Sequence, residues 1–176
     1  MTGGAPETPR SFGQNSGWWL FCLLLLLLKL FLFFLDPSPK FFLGDSASYI
    51  WTAISGWIPI DRSFVYGYLV GWLSLPTHSL TSLLLFQAFL GCATALIVAF
   101  ACRYFFGLSL RASYLFGVLC AIDPLQLLWE RYVMTEVTSL FIYAAILLLS
   151  LLYLKDRKLW QLAAIKIGGG LLHCEG

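Results

Sequence analysis

Two acidic residues stand where hydrophobic segments would deliver them to one face of a membrane. Asp45 lies in Gly44-Asp45-Ser46-Ala47-Ser48-Tyr49, just beyond a stretch that reads as a membrane span. Glu136 follows Met134-Thr135, where a later pair of spans would return the chain to the same side. A positioned carboxylate can take a proton from a hydroxyl, and two together can hold a divalent cation. These residues could therefore do acid/base or metal chemistry at a bilayer surface. Arg131 and Arg62 are the local cations for an anionic group such as a phosphate. Each also has an acidic neighbour, Glu130 and Asp61, with which it could simply pair. Asp45 and Glu136 could equally be helix caps, with Thr135 competing for the second cap. Asp123, just before Pro124, could line the site or cap a kink made by that proline.

The elements that must position these groups follow from composition. The 176 residues are 60% apolar and 11% charged, against about 45–50% and about 25% in soluble domains. Too little polar surface remains to cover a water-soluble globule, so the chain is an integral membrane protein, all-α, a polytopic helix bundle. The net charge of +2 is small and dispersed, which gives nucleic-acid binding no support. Cys22, Cys92, Cys102 and Cys120 sit in apolar runs and Cys174 near the end, with no C-x-x-C pair, so neither a disulfide framework nor a thiolate metal site is indicated. His78 and His173 are isolated.

Residues 1–17 read as a polar cytoplasmic tail. Spans are expected at about 18–35, 80–102, 112–129 and 137–154, and a fifth apolar stretch begins near Leu159 and is cut short by Gly168-Gly169-Gly170. The first is a retained anchor rather than a signal peptide, because no small-residue cleavage site follows it. Lys29 within it must face other helices or snorkel. Lys and Arg are retained on the cytoplasmic side. An internal N-terminus puts Arg10, Arg103, Arg111, Lys155, Arg157 and Lys158 inside, and Asp45 and Glu136 outside.

The loop 36–79 is long and aromatic. It reads as two short interfacial helices, about 46–56 and 64–75, separated by Gly56-Trp57-Ile58-Pro59. A reading of the second as a full span is also open, but at about 12 residues it is too short to cross and would invert the rest of the topology against the charge pattern.

With these residues in place the chain resembles the GT-C glycosyltransferases, in the branch of protein O-mannosyltransferases and the aminoarabinose transferase acting on lipid A. The resemblance is carried by Gly44-Asp45-Ser46-Ala47-Ser48-Tyr49, the loop to Leu75, and Asp123-Pro124 through Glu130-Arg131-Tyr132-Val133-Met134-Thr135-Glu136. It implies transfer of a sugar from a polyprenyl-phosphate donor to a lipid, glycan or protein acceptor on the extracytoplasmic face. It implies a catalytic base at Asp45 and a second site acid at Glu136. Tyr49, Arg62 and Arg131 would contact substrate. Some members of the family need a divalent cation, which would fall to Asp45 and Glu136. A multi-pass protein of a bacterial inner membrane is expected. Family members are longer, and residues 155–176 read as a cytoplasmic loop and a truncated fifth span, so the chain is expected to be an N-terminal fragment.

Two other classes compete. A small transporter or channel subunit would line several spans with polar residues, but Gln87, Thr94, Thr138 and Ser139 are few. An assembly protein without chemistry would show small-x-x-x-small faces, and Gly91, Ala95 and Ala99 supply one.

Overall fold

The computed structural model describes residues 16–59 and 64–175. They form eight helices: α1 (Ser16–Leu35), α2 (Asp45–Ser55), α3 (Phe64–Ser74), α4 (Thr81–Tyr104), α5 (Leu110–Ala121), α6 (Pro124–Trp129), α7 (Glu136–Asp156) and α8 (Leu159–Glu175). Among the described residues the sole extended pairing is an isolated bridge between Lys40 and Tyr132.

Helices α1, α4 and α7 are long and apolar enough to cross a membrane. In α1, Phe21, Leu25 and Phe33 are buried, whereas Leu20, Leu23, Leu24, Leu27 and Phe31 are exposed. A helix that is apolar all round yet leaves most of its surface outside suits a lipid environment. The chain is a helical membrane bundle, as its composition requires.

Helix α4 is the hub and packs against α1, α3, α5 and α7. Its small-residue face does the close packing. Ala95 and Ala99 are fully buried with Phe21, Leu25 and Cys92 against Ala121 of α5. Gly117 of α5 faces Ala99 and Phe21 with no room for a side chain.

Helices α2 and α3 pack on each other, Gly67 against Thr52 and Gly71 against Ala53. Eleven residues each give a rise of about 16 Å, half of the roughly 30 Å hydrocarbon core. Neither crosses, and their exposed faces carry Trp51, Ile54, Tyr68 and Trp72, as interfacial helices should.

Two expectations are corrected. The span expected over 112–129 is not one helix: it breaks into α5 and α6 at Ile122-Asp123. Pro124 opens α6, where a missing N–H costs nothing, and Asp123 Oδ1 accepts from Gln126 N at 2.9 Å. Helix α8 is not cut at its three glycines but runs through them. Gly168 packs against Ile142 and Ile146 of α7, so tertiary contact offsets the weak helix propensity.

Candidate functional site

At the face where α1 ends, two segments distant in sequence are sewn together. Gly44 precedes α2 with φ +86°, a conformation that glycine adopts without strain. Asp45 is therefore the first residue of α2 rather than its cap, and the cap position makes no side-chain bond. The next residue, Ser46, is buried. Its hydroxyl accepts from Phe42 N at 2.9 Å and donates to Val133 O at 3.0 Å. Lys40 N donates to Arg131 O at 2.7 Å, and Val133 N donates to Lys40 O at 3.1 Å. Gln87 of α4 adds a third tie. Its fully buried amide donates to Tyr66 Oη at 3.0 Å, Tyr132 O at 3.1 Å and Met134 O at 3.2 Å.

The consequence is that residues 40–46 lie along residues 131–133, and the two acids flank this seam. Asp45 adjoins Ser46, whose hydroxyl reaches Val133 O, and Glu136 stands three residues beyond Val133. Glu136 is the first residue of α7, Thr135 holds the cap position without a side-chain bond, and Glu136 Oε2 is buried with no hydrogen-bond partner among the described residues. Tyr49 is buried, its ring edge-on to Tyr66 with centroids 4.8 Å apart. It therefore belongs to the α2–α3 core more than to an open surface. Arg62 lies outside the described residues.

Arg131 does not pair with Glu130. Glu130 turns inward to Lys29 of α1 at 2.5 Å, with both side chains 1% exposed, and accepts from Gln126 at 3.3 Å. Gly91 of α4 gives this pair its space, since a Cβ there would overlap the Glu130 carboxylate. Lys29 thus faces other helices and does not snorkel. Arg131 is buried as well. Its Nη2 donates to Leu32 O at 2.8 Å, one of the carbonyls that the end of α1 leaves open. Its guanidinium lies 5.2 Å from the Phe33 ring centroid. Nη1 is buried with no hydrogen-bond partner among the described residues.

Beside Arg131 is a cavity of about 250 Å³ with an apolar wall of Leu32, Leu127 and Leu128 and a rim of Asp36, Lys40 and Arg131. Lys40 Nζ donates to Asp36 Oδ2 at 2.6 Å, which holds the Asp36 carboxyl below the usual range, with the backbone of Ser38 assisting. Sequence reasoning missed Lys40 and the Lys29–Glu130 pair. A lysine inside an apolar span was the available signal for the latter, because such a charge calls for a buried acid.

The residues present do not by themselves make a metal site. A hard divalent cation takes about six or more oxygen ligands, and the described residues contain no group of three or more His, Cys, Asp or Glu that could hold one. Asp45 and Glu136 supply two carboxylates toward such a set. What the arrangement offers is a carboxylate at a bundle face, a second acid at the head of α7, and a fixed guanidinium on the adjoining segment of the seam.

No family model matches the chain, and no curated protein or solved structure is significantly similar to it.

Proposed function

We propose that this chain carries the acceptor-activating face of a membrane glycosyltransferase, which moves a sugar from a polyprenyl-phosphate donor to a hydroxyl of a lipid, glycan or protein. Asp45 is the base. It takes the acceptor proton as the oxygen attacks the anomeric carbon, and the bond to the phosphate breaks with its electron pair leaving on the phosphate. Glu136 shapes the site beside it, and Arg131 answers the charge that develops on the phosphate. The seam face is extracytoplasmic and the N-terminus cytoplasmic, which agrees with the basic residues Arg103, Arg111, Lys155, Arg157 and Lys158 all falling toward the other side. A bacterial inner membrane is the setting proposed.

The observation that carries this reading is the seam. Ser46–Val133 and Lys40–Arg131 bonds hold the Asp45 segment on the stretch that leads to Glu136. Two of the four polar residues that a transport pathway would use are engaged otherwise: the Gln87 amide N–H groups in the seam and Thr94 in a bond to Leu90 O at 2.9 Å.

The test is sugar transfer in membranes supplied with polyprenyl-phosphate-linked sugars. Asp45→Asn should lower the rate by about 10²–10⁴, the usual contribution of a general base, with unchanged membrane insertion. An undiminished rate would remove Asp45 as the base.

A further inference from the structure

We propose that the end of the bundle opposite the seam is a docking surface for anionic phospholipids of the leaflet on that side, with their headgroups on Arg103, Arg111, Lys155, Arg157 and Lys158. The proposal goes beyond the transferase reading and holds whether or not the chain transfers sugar.

Two turns form this end, one joining α4 to α5 and one joining α7 to α8. They lie side by side, because Lys155 Nζ sits 3.7 Å from the centroid of the Tyr104 ring. Residues 103–111 and 155–159 carry five cations against one acid, Asp156. All five are exposed, and none is in an ion pair among the described residues. Arg103 gives an N–H to Leu108 O at 2.9 Å, one donor of the several that a guanidinium carries. Arg157 is the most informative of the set. It closes α7 in the left-handed conformation, with φ 55° and ψ 32°, where helices commonly place glycine. A cation thus stands at a position that the backbone alone would give to glycine.

Depth decides what meets these charges. The connections are short, residues 105–109 and 157–158, so the cations stay within about a turn of the ends of α4 and α7, the helices long enough to cross. Exposed aromatic rings surround them. Phe106 and Trp160 are each more than half exposed, and so is Trp19 in the first turn of α1. Trp18 brings that turn to the same end, its ring 6.1 Å from that of Tyr114 in α5. Aromatic rings of this kind favour the headgroup layer, and a basic cluster held at that depth attracts anionic lipid. A soluble acidic protein would require the charges but not the exposed rings.

The test is native mass spectrometry of the full chain, released from micelles that hold equal amounts of phosphatidylglycerol and phosphatidylcholine. Phosphatidylglycerol should be retained in preference. Arg157→Gly should weaken that retention about fivefold, the contribution of one basic side chain at an anionic surface. Its resistance to unfolding should hold or rise, because glycine adopts the left-handed conformation without strain. Lys158→Gln should weaken retention to a similar degree, and it decides the matter if Arg157→Gly fails to fold. Lys40→Gln, which removes a charge at the seam end, should leave retention unchanged. Equal retention of the two lipids, insensitivity to Lys158→Gln, or an equal loss on Lys40→Gln would overturn the lipid surface. Displacement of phosphatidylglycerol by soluble polyglutamate would also overturn it, and would give the surface to an acidic protein instead.

Discussion

Lys29 and Glu130 show how one residue dictates the placement of another far along the chain. A lysine at the centre of a membrane helix costs about 2.5–3.5 kcal/mol on insertion scales. In the folded bundle its ammonium meets the Glu130 carboxylate, with Gln126 completing the shell. Glu130→Gln removes the counter-charge and should cost about 3–5 kcal/mol, read as lost resistance to unfolding in mixed detergent. The double variant Lys29→Met/Glu130→Leu should recover most of that loss, because an apolar pair needs no desolvation. Additive losses would mean that the two residues do not act as a pair. Glu130 is also the reason that Arg131 turns elsewhere: with Glu130 turned to α1, the guanidinium of the next residue settles on Leu32 O and the Phe33 ring, with Glu130 and Asp36 acting on it through charge alone.

Among the elements, α6 is one of two that pattern alone misplaced, α8 being the other. The apolar run from Ala112 to Trp129 has a span's length and hydropathy, but Asp123 and Pro124 within it restart the helix. Asp123 accepts from Gln126 N, and α6 then presents Gln126 to Glu130 and to Gly91 O at 3.2 Å. Asp123→Ala should cost about 0.5–2 kcal/mol, the ordinary loss of a helix cap. Faster amide exchange in residues 124–129 checks it, and exchange no faster than in the parent would show that the cap does not hold α6. Helices α1, α2, α3, α4 and α7 fall within two residues of the segments expected from periodicity and length. Those segments carry unambiguous apolar runs or clear breakers. The glycines of α8 misled for a related reason: propensity is local, while Gly168 is held by Ile142 and Ile146 of α7.

For the whole molecule, Gln87 is the tie that gathers three segments on one side chain. It joins α4 to Tyr66 of α3 and to the carbonyls of Tyr132 and Met134. Gln87→Leu should leave those half-buried carbonyls without this donor, at about 1 kcal/mol, and loosen the seam that positions Glu136. Hydrogen exchange should rise in residues 131–136 and near Tyr66 together. A rise confined to α4 would show that the seam does not depend on this amide. The all-helical class, the membrane setting, the three long helices and the interfacial α2–α3 pair were determined by sequence alone, because they depend on the apolar run length and turn residues that each segment carries within itself. The seam of residues 40–46 with 131–133, the pairing of Glu130 with Lys29 instead of Arg131, and the cavity at Lys40 were decided only by the tertiary structure. Each depends on which buried donor meets which buried acceptor when segments up to a hundred residues apart are packed around α4, and low dielectric makes those choices costly to leave unmade.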